Sequence, residues 1–139
     1  MRNIVVIDGQ GGGVGRLLVS RLRERLPRAA ITAVGANCSA TNAMLKAGAD
    51  SGATGENAVI VACRRADVIA GPVGIVIADA LGGEVTPAMA VAVAQSPAKR
   101  VLLPFNHCDN IIVGVADYNV NHLVQNAVDE IIRICSPES

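Results

Sequence analysis

The chain has 139 residues, 12 basic against 12 acidic, with one Tyr, one Phe and no Trp; this is one domain's worth of chain, with too little positive charge or aromatic surface to expect nucleic acid as a partner. No run approaches the roughly 18 apolar residues of a membrane span, and Ile4-Val5-Val6-Ile7 stops at Asp8, so we expect no membrane partner, no signal peptide and a cytoplasmic location. A composition 51% hydrophobic and 17% charged is lean in charge for so small a chain, which points to apolar surface buried between copies in a homo-oligomer.

Asn3 to Ile7 is a short apolar run that reads as a strand buried on both faces. Five glycines follow within Gly9 to Gly15, and then Val14, Leu17, Leu18, Leu22 and Leu26 recur at helical spacing until Pro27. Strand, glycine turn and helix therefore open the chain. Ala30 to Val34 reads as a second strand, followed by a helix capped by Ser39 and ended by Gly48. Gly52 to Asn57 reads as a loop that feeds an element finishing at Arg64-Arg65. Val59, Ile60 and Val61 leave that element open between helix and strand.

Asp67 to Ala70 is the next strand, before Gly71-Pro72-Val73-Gly74 and an apolar segment to Leu81. Thr86-Pro87 starts a helix that runs to about Gln95, since threonine caps well and proline suits the first helical position. Val101 to Leu103 and Ile111 to Val115 read as two further strands. Val120, Leu123, Val124, Ala127, Val128, Ile131, Ile132 and Cys135 then form one face of a last helix. Strands alternating with helices imply a mostly parallel sheet covered on both sides, because parallel neighbours need long crossovers. We expect an α/β, three-layer Rossmann-like sandwich, one domain over residues 1–139. Cys38, Cys63, Cys108 and Cys135 are far apart with no C-x-x-C pair, so no metal site is expected, and Cys63 and Cys135 read as buried apolar side chains.

A glycine turn between a strand and a helix presents main-chain N–H groups and the positive end of a helix dipole to one place, where a phosphate fits. The spacing Gly9-x-x-x-Gly13-x-Gly15 resembles the T-G-x-x-x-G-x-G turn of short-chain dehydrogenases, with Asp8 in place of the threonine. That resemblance implies NAD or NADP as cofactor, with Gly9, Gly13 and Gly15 against the pyrophosphate. The catalytic Tyr-x-x-x-Lys pair is missing, since Tyr118 is followed four positions on by His122. Gly35-Ala36-Asn37 also stands where many NAD sites carry an acid for the ribose diol. Gly11 to Leu17 is similar to the K-G-G-V-G-K-T loop of partner-switching ATPases, but both lysines and the threonine are replaced, so ATP hydrolysis is not expected. Over nearly its full length the chain resembles a bacterial family of uncharacterised short proteins that open with I-D-G-Q-G-G-G-V-G. Met44 to Ala49, Gly52 to Asn57, Gly71 to Gly74 and Gly83 to Pro87 carry that likeness further.

Ligands of open parallel sheets bind beyond the carboxyl ends of the strands. The candidate cofactor contacts there are Gly9, Gln10, Gly11, Gly12, Gly13, Val14 and Gly15, with Asn37, Gly71, Pro72 and Asn106; Arg16 is the one arginine of the first helix close enough to matter. Asp8, His107 and Cys108 are the candidate catalytic groups, an acid, an imidazole and a thiol. Asp8 also reads as an Asx-type cap of its own turn. Thr54 would make a second anion site by capping a helix at Glu56, and Glu84 reads as an acid near the positive end of the helix after Thr86. The leading expectation is a small nucleotide- or dinucleotide-binding protein that holds a phosphate-bearing ligand. An oxidoreductase or transferase of a phosphorylated or nucleotide-linked substrate is the alternative, and a homo-oligomeric structural or interaction protein is the third.

Overall fold

The computed structural model describes residues 2–105, 109–116 and 118–136. Five strands, β1 (Asn3–Asp8), β2 (Ala30–Gly35), β3 (Ser51–Thr54), β4 (Val68–Pro72) and β5 (Lys99–Leu103), form one sheet in the order β3-β2-β1-β4-β5. Every pair is parallel. The helices are α1 (Gly13–Arg25), α2 (Cys38–Lys46), α3 (Glu56–Arg65), α4 (Pro87–Gln95) and α5 (Val120–Cys135), and a 3-10 turn spans Val73–Val76.

Strand periodicity divides the core in two. Ile4 and Val6 of β1 face one layer, with Leu18 and Leu22 of α1, Met44 of α2, and Val124, Val128 and Ile131 of α5. Val5 and Ile7, one residue out of phase, face Val59 and Cys63 of α3 and Met89 and Val93 of α4. The central strand β1 is therefore apolar on both faces, as its unbroken run requires. The three-layer α/β sandwich and the parallel sheet are as the sequence implies.

Four local readings are corrected. Within Gly52 to Asn57, read as a loop, residues 52–54 belong to the edge strand β3, whose four residues are all exposed; β3 pairs with β2 and meets α2 at Thr41, and its small, exposed residues leave no apolar signal. Ile111 to Val115 is not a strand, and Ile111 and Val113 stand 89% and 93% exposed. Asn37, not Ser39, caps α2, its side chain accepting from the Ala40 N–H. Gly55, not Thr54, caps α3 and makes no side-chain cap bond. The open element before Arg64 is a helix, and Thr86 caps α4 as its sequence predicts.

Candidate functional site

Strand order reverses between β1 and β4, so the crevice at their carboxyl ends is where the fold offers a ligand site. The glycine turn hangs over it. Asp8 ends β1 and is 3% exposed. Its Oδ1 accepts from the Gly9 N–H at 2.8 Å and its Oδ2 from the Gly15 N–H at 2.7 Å, so one carboxylate ties both ends of the turn together. Burial pushes the Asp8 carboxyl above its ordinary value. Main-chain hydrogen bonds from Gly15, Gly9 and Val14 pull the other way, and the charge of Glu84 adds to the rise. With both oxygens engaged, Asp8 acts as the Asx-type clamp of its own loop.

The inner half of the turn is closed by a residue remote in sequence. Glu84 Oε1 accepts from the Gln10 N–H at 2.6 Å, and Oε2 accepts from Asn37 Nδ2 at 2.7 Å. Asn37 Nδ2 donates to the Gln10 carbonyl as well, at 2.9 Å, while its Oδ1 caps α2. Asn37 is thereby committed to holding α2, Gln10 and Glu84 together, where the sequence offered it as a ribose contact. The segment that delivers Glu84 bends through left-handed backbone at Asp79, Leu81, Gly82 and Gly83, with φ of 69°, 58°, 65° and 94°. Leu81 is a poor residue for that conformation, at about 1 kcal/mol or more. Its burial at 5% exposure against Gly9 holds it there, for a Cβ on Gly9 would lie 2.9 Å from Leu81 Cδ1 and 2.7 Å from Glu84 Oε1.

The outer half of the turn is different. Gly12, at φ 73°, sits over α2 and donates to the Gly9 carbonyl at 2.9 Å. On either side of it, Gly11 and Gly13 are exposed, a Cβ on either would meet nothing within 4 Å, and neither amide bonds any described residue. No acidic residue lies in the first turn of α1, and Arg16 is exposed there. Gly11, Gly13 and Arg16 are thus three exposed residues at the N-terminal end of α1, and the main-chain N–H groups of the two glycines bond no described residue.

Gly71 and Pro72 lie inside β4 and are buried. A side chain at Gly71 would collide with the Ile7 carbonyl oxygen, so this glycine serves the close approach of β4 to β1. Asn106, His107 and Cys108 lie outside the described residues. Thr54 pairs its hydroxyl with that of Thr41 at 2.7 Å, and α3 begins with the acid Glu56, so the second anion site at that helix is not formed as expected. On the α5 side of the sheet, at the carboxyl end of β5, lies a cavity of about 480 Å³ lined by Val73, Leu102, Pro104, Ile112, Val115 and Leu123. Its walls are mainly apolar, with Asn126 of α5 as the polar residue. Among the described residues no group of three or more His, Cys, Asp or Glu is placed to hold a metal ion, and no helix is long and apolar enough to cross a membrane.

Sequence reasoning found the turn and the clamp but missed the role of Glu84. Gly82-Gly83-Glu84 reads locally as an ordinary bend ahead of α4, and nothing in it points to a partner 74 positions away.

The sequence matches the family described as a domain of unknown function, DUF3842, over residues 3–136, and the chain belongs to that family. No curated protein matches it. Among solved structures it is similar to a dodecameric FMN-dependent UbiX-like decarboxylase from Escherichia coli O157:H7. The identity is 17% and the TM-score 0.47, over 92% of this chain and 93% of that one.

Proposed function

We propose that this DUF3842 protein binds a small ligand through a single phosphate group, held by the main-chain N–H groups of Gly11 and Gly13 with Arg16 beside them. The ligand class that suits this best is a mononucleotide. The observation that carries the reading is the division of the glycine turn: the Gly9, Gln10 and Gly15 amides already serve the carboxylates of Asp8 and Glu84, while those of the exposed Gly11 and Gly13 bond no described residue. A pyrophosphate would need the inner amides and would have to displace Glu84 against its negative charge; one phosphate needs only the outer pair. This favours a mononucleotide over NAD or NADP. The mainly apolar cavity of about 480 Å³ at the carboxyl end of β5, with Asn126 in its lining, has the size to take a ring system.

Native mass spectrometry of the protein as purified, followed by amide chemical-shift titration with AMP, FMN, NAD and inorganic phosphate, tests the proposal. Shifts centred on Gly11, Gly13 and Arg16, with a phosphorylated mononucleotide outcompeting NAD, are the expected result. Binding that leaves those three signals unmoved contradicts it.

A further inference from the structure

Helix α4 has the sequence Pro-Ala-Met-Ala-Val-Ala-Val-Ala-Gln, without one charged residue on any face. Met89, Ala90 and Val93 fill the core, which leaves Ala88, Val91, Ala92 and Gln95 on the outer side, with Val91 50% exposed. A helix that is apolar all round is ordinarily covered on both sides. Beside it, Ile60 and Arg64 of α3 complete a shallow groove of about 410 Å³.

The two helices run parallel. Thr86 at the start of α4 donates to Glu56 at the start of α3, and Ser96 just past the end of α4 donates to the Cys63 carbonyl near the end of α3. The exposed face they share is therefore acidic at one end, at Glu56, apolar in the middle, at Ile60 and Val91, and basic at the other end, at Arg64. Turned over about a two-fold axis perpendicular to the helices, such a face complements itself. Glu56 meets Arg64 of the second copy at both ends, the apolar centres coincide, and the paired helix dipoles oppose those of the partner.

We infer that the α3–α4 face is a two-fold interface with a second copy of this chain, whose centre is Val91 and whose register is set by Glu56 and Arg64. The small side chains of Ala88 and Ala92 let the partner helices approach closely, which bulkier residues there would prevent. This inference is independent of the proposed ligand.

Sedimentation velocity on the full chain across a range of concentrations tests it. The wild type should sediment at twice its 14.2 kDa mass. Val91→Lys, Glu56→Arg and Arg64→Glu should each weaken the dimer by roughly ten-fold or more, the last two by setting like charges against each other. An equimolar mixture of the Glu56→Arg and Arg64→Glu chains should dimerise again, since one then offers two arginines and the other two glutamates. Circular dichroism of each variant confirms that it is folded. A wild type that is monomeric throughout, an assembly of any size indifferent to Val91→Lys and Arg64→Glu, or a mixture of charge variants that fails to re-form the dimer would overturn the inference.

Discussion

The carboxylate of Glu84 accepts a 2.6 Å hydrogen bond from the main-chain N–H of Gln10, joining the loop ahead of α4 to the glycine turn ahead of α1. An acid from the protein's own chain thus takes one of the main-chain N–H groups of the turn. On the proposed function, the division of the turn between this carboxylate and an incoming phosphate sets which ligands fit.

Glu84→Gln keeps the shape and an acceptor for Gln10 while removing the charge, and it sets its NH2 group against the Asn37 Nδ2 donor, a cost in stability that is read separately from affinity. Phosphate affinity at the outer amides should rise about five-fold, on the order of 1 kcal/mol for one nearby charge at intermediate dielectric. Glu84→Ala leaves the Gln10 N–H without its acceptor and Asn37 Nδ2 with only the Gln10 carbonyl, and should lower stability by about 1–2 kcal/mol. Urea denaturation and calorimetric titration separate the two effects.

The glycines of the turn should divide sharply in their tolerance. A Cβ at Gly15 would stand 2.6 Å from Met44 Sδ and 2.9 Å from Asp8 Cβ. Gly15→Ala should therefore destabilise by about 2 kcal/mol through overpacking. Gly13→Ala, at the open first position of α1, should leave the fold intact or stabilise it by about 0.5 kcal/mol through a less flexible unfolded chain. Thermal melts of the two variants read the difference directly.

How legible this was from sequence depends on where each signal resides. Helices α1 and α5 and the apolar strands β1 and β4 carry their own periodicity, and Thr86-Pro87 carries its own cap, so those elements and the parallel layering follow from local chemistry. Edge strand β3 has no buried face to record, and the alternation of Ile111 and Val113 belongs to residues that face solvent. At the site, Asp8 and Gly15 were within reach because the clamp spans a single turn. Glu84 and Asn37 were not, because each is ordinary in its own neighbourhood and acquires its role through a contact across the sheet edge.

Asp8 gives a pH signature. Its carboxyl is raised in the folded protein, chiefly by burial, so the folded state holds that proton more tightly than the unfolded chain. The resulting stability is fully present below the ordinary value of 3.8 and is lost as pH rises through the raised one. Asp8→Asn turns an amide donor toward one of the two N–H groups and should destabilise by about 1–3 kcal/mol. The advantage of wild type over Asp8→Asn should shrink as pH climbs above 3.8 and then level off. A gap that widens over that window would reverse the assignment.

The thiols should react in order of exposure. Cys63 is buried, and burial pushes its pKa up to about 11, whereas Cys38 is exposed. Iodoacetamide at pH 8 followed by peptide mass spectrometry should find Cys38 modified well before Cys63, with Cys63 labelled only on unfolding. Rapid native labelling of Cys63 would show that the contact between α3 and α4 opens.

The most direct test of the account is calorimetric titration of a phosphorylated mononucleotide into wild type and into the double variant Gly11→Ala, Gly13→Ala. Neither new methyl group meets protein within 4 Å, yet on the proposed function both crowd the place where the phosphate is held. The account predicts an unchanged melting temperature to within a few degrees and at least a ten-fold loss of affinity, about 1.4 kcal/mol or more. Equal binding by the two folded proteins would contradict it.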